Sequence, residues 1–276
     1  MIIGIVASIV AIVSLAFALS RFSALEYFSI ESVRVYGADS DIVPIVQLVA
    51  YDAIQGSFLG IFSKSNAFIY PKAALTAAVI NASPRILSAE VSRDGSKSLI
   101  ISVTEKSPAA IVCAGLPDFD QNGALSDDGD CYAADESGLL FKKMAVSTGT
   151  PQIMRYYVPD LPDDVSAIGS HATSTVEFAA LQSFVAGARS AGIKPEGILF
   201  KDGGEYEMYA DSSARSSGAA TSSPLIVVYL NDKAGFVSEL SDMAAFWSHM
   251  TASAGAGAPP SFEYIDLRYG SNVFYR

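Results

Sequence analysis

PRILSAEVSRDGSKSLIISVTE, residues 84–105, holds two runs of strand-forming residues around an Asp94-Gly95 step. Pro84 breaks whatever precedes it, and Asp-Gly between apolar runs is a hairpin signal. The runs 86–93 and 99–105 are therefore read as paired strands. In the second, Leu99, Ile101 and Val103 alternate with Ile100, Ser102 and Thr104, so one face is buried and the other partly wet. Upstream, Pro71 sits where a helix to about Asn81 would begin, since proline is tolerated in a first turn. Before it lie a connector over 56–68 and an apolar helical pattern over 42–54, with Asp39, Ser40 and Asp41 available as N-cap. Ile30, Val33 and Val35 read as a first strand that stops at Gly37. The order is β-α-α-β-β, a small α+β domain with two helices on a three-stranded sheet.

From Ser107 the pattern changes. Strand-like runs occur at 109–113, 139–142, 198–200, 205–209 and 225–230, and helical patterns at 173–191 and 235–253. Residues 210–223 and 252–260 are rich in Ser, Ala and Gly and read as loops, and 262–275 reads as one long final strand. This is a mixed, β-rich second domain with flanking helices, so the fold class of the whole is α+β.

The first twenty residues, MIIGIVASIVAIVSLAFALS, carry no charge before Arg21. A helix of that length spans about 28 Å, close to a bilayer's hydrocarbon core of ~30 Å. The expectation is a transmembrane anchor over 1–20 and a juxtamembrane connector over 21–27. Two other readings stand beside it: a cleaved signal peptide, through the small residues Ala16 and Ala18, and a buried core helix. The net charge of −11 opposes the basic footprint that nucleic-acid binding needs. Cys113 and Cys131 are the two cysteines, and with only two histidines a zinc site is poorly supplied. A disulfide in an oxidising compartment is preferred over two unpaired thiols.

Asp118, Asp120 and Asn122, followed by Gly123, match the first half of a calcium loop, and Asp128 adds a further carboxylate. The twelfth position is Gly129 rather than the bidentate Glu, so a candidate calcium site competes with a solvated acidic loop. No G-x-S-x-G elbow, phosphate loop or dinucleotide glycine pattern is present, and the reading is of a non-enzyme.

Several segments carry a family likeness. FSIESVRVYG (28–37) resembles the opening of a POTRA domain. PRILSAEVSR (84–93), Leu99 to Val103 and EKSPA (105–109) resemble its ending. CYAADESGLLF (131–141) and YIDLRYG (264–270) resemble segments of the β domain of FtsQ/DivIB cell-division proteins. Set against that family, the expectation is of a departure at two places, an absent cytoplasmic tail and an insertion over 114–130. The resemblance implies a POTRA domain over 28–106 and an FtsQ-type β domain over 107–276. It further implies a bitopic scaffold at the division septum, single-pass in the cytoplasmic membrane with its domains outside. Such a scaffold binds FtsB/FtsL-type (DivIC-type) partners through the β domain. By motif, Tyr264, Asp266, Arg268 and Tyr269, with Gly270, Ser271 and Asn272, are the expected partner-binding residues. The alternative is another POTRA-bearing envelope protein, chaperone-like or accessory to secretion.

Overall fold

The computed structural model describes residues 2–23, 25–120, 125–126, 129–144, 153–162, 164–211, 225–231, 236–253 and 262–276. The chain divides into two compact units, Met1–Lys106 and Ser107–Arg276.

In the first unit, helix α1 (Ile2–Ser23) and a 3-10 turn (Glu26–Phe28) precede β1 (Ser32–Tyr36) and α2 (Val43–Ala53). A small hairpin, β2 (Ser57–Phe58) with β3 (Phe62–Ser63), leads into α3 (Lys72–Asn81), then β4 (Ile86–Asp94) and β5 (Ser98–Glu105). The sheet order is β1-β5-β4, with β5 parallel to β1 and antiparallel to β4. Leu99, Ile101 and Val103 of the central strand are buried with Val46 and Ala50 of α2 and Leu75 and Val79 of α3. Alternation along β5 thus sets which face the helices cover. Gly37 ends β1 at φ +81°, and a Cβ there would lie 2.2 Å from the Val103 carbonyl oxygen, so only glycine fits.

Three expectations change here. First, the span: among the described residues no helix is long and apolar enough to cross a membrane. The expected transmembrane helix over 1–20, and with it the single-pass placement in the cytoplasmic membrane, is corrected on that finding. The helix also runs on to Ser23, through part of the expected connector. Its last turn is held by the domain: Ser20 Oγ donates to Ile61 O at 2.6 Å, and Asn66 Nδ2 donates to Ser23 O at 2.9 Å. Serines that bond a neighbouring backbone make this end part of a folded unit rather than a free tether. Second, the connector over 56–68 contains the β2–β3 hairpin. Third, Asp39 and Asp41 do not cap α2, whose N-cap position is Ile42 without a side-chain cap. Their carboxylates receive Arg85 Nη2 and Nη1, both at 2.5 Å, and Glu105 receives Arg85 Nε at 3.0 Å. Arg85 gathers all three carboxylates through charge-assisted bonds, each joining two full charges, where a cap would join one carboxylate to a neutral N–H.

The second unit opens with β6 (Ala110–Ala114), the two-residue strands β7 (Asp118–Phe119) and β8 (Leu125–Ser126), β9 (Cys131–Ala134) and β10 (Leu140–Met144). It continues with β11 (Arg155–Val158), α4 (Asp164–Ala167), α5 (Thr175–Ser190), β12 (Lys194–Lys201), β13 (Glu205–Asp211) and β14 (Leu225–Asn231). Helix α6 (Val237–Ser253), β15 (Tyr264–Tyr269) and β16 (Asn272–Tyr275) close it. One mixed sheet has the order β10-β9-β6-β11-β12-β13-β14-β15-β16. Two of its parallel pairs, β11 with β12 and β14 with β15, are joined through α5 and α6. Parallel neighbours need such crossovers. Both helices contribute to the main core, with Phe178, Leu181 and Phe184 from α5 and Met243 and Trp247 from α6. Helix α5 is capped by Ser174, whose Oγ accepts from the Glu177 N–H at 3.2 Å.

Candidate functional site

The final hairpin forms because β-rich residues flank Gly270 and Ser271. Tyr269 pairs with Asn272, leaving a two-residue turn with Gly270 at φ +67°. Glycine in the first turn position suits the twist of such hairpins. The expected single strand over 262–275 is therefore two strands, and β16 ends the sheet. At the opposite edge, the Leu140 N–H and C=O bond to Ser170 O at 2.9 Å and Gly169 N at 2.8 Å, so β10 is partly covered. Along β16 the outward side has no strand neighbour among the described residues. Edge backbone of this kind offers N–H and C=O groups to an added strand.

Registers place one residue from every strand in a transverse row: Met144, Cys131, Cys113, Tyr157, Leu199, Glu207, Tyr229, Asp266 and Phe274. The row lies on the face away from the main core. At one end Cys113 and Cys131, directly opposite on β6 and β9, form a disulfide. Its neighbours Ile111, Leu125, Tyr157, Leu199 and Tyr209 make a second, smaller buried cluster. Beside this cluster the face is hollowed by a groove of about 710 Å³ lined by Leu116, Phe119, Leu199, Lys201, Glu207 and Tyr209. Both Glu207 oxygens are engaged there, Oε1 by Lys201 Nζ at 2.5 Å and Oε2 by the Tyr209 hydroxyl at 2.9 Å. Burial, then the Glu207 carboxylate that accepts its proton, pushes the Tyr209 phenol up.

At the other end of the row Arg268 is locked in place. Its Nε and Nη2 donate to Asp266 Oδ1 and Oδ2 at 3.0 and 2.7 Å, and Nη1 donates to Glu205 Oε2 at 2.8 Å. The guanidinium also lies 5.0 Å above the Tyr229 ring. The hydrogen bond to Asp266 holds the guanidinium above its ordinary range, while burial pulls the other way.

The seven expected partner-binding residues thus divide. Asp266 is buried, and Tyr264 is half-buried with its ring 6.1 Å from that of Tyr229. Arg268 is turned toward its own carboxylates. Tyr269, Gly270, Ser271 and Asn272 are exposed at the hairpin's end. Phe274 and Tyr275, absent from the motif, join them: Tyr269 is 59% exposed, Phe274 53% and Tyr275 51%. The Tyr269 and Phe274 rings meet edge to face at 5.5 Å, and Tyr275 packs at 5.0 Å from Phe246 of α6. The signal that would have found them is the Gly270-Ser271 turn, which folds 272–275 back onto the edge.

Of the candidate calcium ligands, Asp118 and Asp120 are exposed, while Asn122 and Asp128 lie outside the described residues. Among the described residues no group of three or more His, Cys, Asp or Glu is placed to hold a metal ion. Asp130, at the end of the acidic stretch, pairs with Lys143 Nζ at 2.8 Å. No known protein-family model matches the chain, and no curated protein matches it either.

Proposed function

We propose that this chain is a non-enzymatic binding protein of the FtsQ/DivIB type, whose second unit captures an extended segment of an FtsB/FtsL-type division partner along β16. The observation that carries the reading is the free edge of a nine-stranded sheet flanked by three half-exposed aromatic rings, Tyr269, Phe274 and Tyr275. Backbone hydrogen bonds would supply affinity, and rings on both faces of the edge would supply anchors. Arg268, already paired with Asp266 and Glu205, has its charge satisfied without a partner. The contact is therefore mainly apolar. The acidic loop, where Asp118 and Asp120 lie, is a place where calcium would be tested by calorimetric titration of the same protein.

The deciding experiment is binding of the full chain to the short coiled-coil division proteins of the same cell, by pull-down and calorimetry. Phe274→Ala and Tyr269→Ala are expected to weaken binding by roughly 10-fold or more each, in the range of exposed aromatic anchors. Their thermal midpoints should stay at the wild-type value, because both rings lie largely outside the core. Undiminished binding by the double variant sinks the edge assignment.

A further inference from the structure

Within the first unit, the β2–β3 hairpin projects an apolar tip. Phe58 pairs with Phe62, and Leu59 between them is 94% exposed, the most exposed large apolar side chain described. Its φ of +51° places a bulky residue in the left-handed region that glycine usually takes. Ile61 adds a second exposed apolar side chain. The surface continues through ring contacts. Phe28 stacks edge to face on Phe68 at 5.5 Å and on Tyr27 at 5.1 Å, and Phe68 and Tyr27 are 59% and 68% exposed. Three cations sit on rings of this same region. Arg93 lies 4.3 Å over Phe68, Lys64 5.9 Å over Phe58, and Arg21 5.7 Å over Phe17. Residues 53–89 contain no Asp or Glu, in a chain that has 29 of them.

We propose that this surface is a lipid-contact patch, in which the hairpin tip and the Tyr27–Phe68 rings enter the headgroup layer of an anionic bilayer surface. The contact is interfacial and crosses nothing. Three features favour lipid over a protein partner. The tip is convex, whereas a stable protein interface needs about 800 Å² of complementary surface on each side. Cations stacked on exposed rings keep their charge at headgroup level while their stems cover apolar surface. The acid-free stretch removes the repulsion that an otherwise strongly acidic protein would meet at lipid phosphates.

The test uses the full chain with Leu59→Cys carrying an environment-sensitive fluorophore, the two native cysteines being bonded to each other. A matched label at Ser96→Cys, on the β4–β5 turn, is the control. Vesicles are phosphatidylcholine with or without phosphatidylglycerol. A blue shift at 59 on the anionic vesicles, with none at 96, is the expected result. Lys64→Gln should lower the apparent affinity roughly fivefold, the effect of one basic residue near an anionic surface. Binding through α1 alone would leave the label at 59 in water, and that outcome overturns the proposal. A blue shift that grows with protein concentration without vesicles would assign the patch to a second copy and overturn it equally.

Discussion

Arg268 shows how a motif residue and a contact residue can differ. It lies on the YIDLRYG strand, but its guanidinium is spent on Asp266 and Glu205 within its own sheet. Arg268→Ala would strip Asp266, whose side chain is 10% exposed, of its main donors. A carboxylate left underpaired in that setting costs about 1–3 kcal/mol, so the variant should lower the denaturant midpoint. A wild-type midpoint with lost binding would instead make Arg268 a contact residue. The sequence placed Arg268 on a strand but not beside Glu205, 63 residues away, because that pairing depends on the registers of three strands. Two phenols give a second residue-scale prediction. Burial raises Tyr156 above the ordinary 10.0, and burial with Glu207 does the same for Tyr209. For a group whose folded value is raised, stability is full below the unfolded value and is lost as pH climbs above it. Urea midpoints should therefore hold up to about pH 10 and fall beyond it, with phenolate absorbance from these two rings appearing only as the protein unfolds. A phenolate signal of the folded protein that is lost in Tyr156→Phe or Tyr209→Phe would contradict this.

Local chemistry made some elements legible. Asp94-Gly95 marked the β4–β5 hairpin, and its alternating residues marked the buried face of β5, because turn and period are written in adjacent residues. The connector over 56–68, between α2 and α3, hid a hairpin whose strands are two residues each, too short for any period to show. The last strand was misread as continuous because β-formers run through Gly270. The order of the nine strands was not legible, since parallel pairing through α5 and α6 joins segments far apart in the chain. The disulfide bonds the antiparallel neighbours β6 and β9 across a separation of 18 residues. Closing a loop of that size restricts the unfolded chain by about 3 kcal/mol in the entropy model. The Cys113→Ala, Cys131→Ala double variant should lose stability of that order under non-reducing conditions. Wild-type protein unfolded and refolded with reductant should match it, and equal stability of all three forms would remove the bond from any structural role.

At the scale of the molecule, every buried cluster draws its members from one unit. Ile30 through Val103 form the core of the first, and Ala110 through Leu267 and Ile111 through Tyr209 form the two clusters of the second. The chain's contacts divide at Lys106 and Ser107 in the same way. A core that closes within one unit melts as one unit, so calorimetry of the full chain should resolve two transitions. Leu75 of α3 is fully buried in the first unit's core, and Leu75→Ala opens a cavity costing about 2–5 kcal/mol. In a domain of this size that lowers the first unit's midpoint by roughly 10 °C or more. The second transition should not move, and partner binding through β16 should survive at a temperature where the first unit of the variant is already unfolded. Residues 107–276 expressed alone should reproduce that second transition. If both transitions shift together in Leu75→Ala, the two cores unfold as one, and the binding edge depends on a domain to which it contributes no strand.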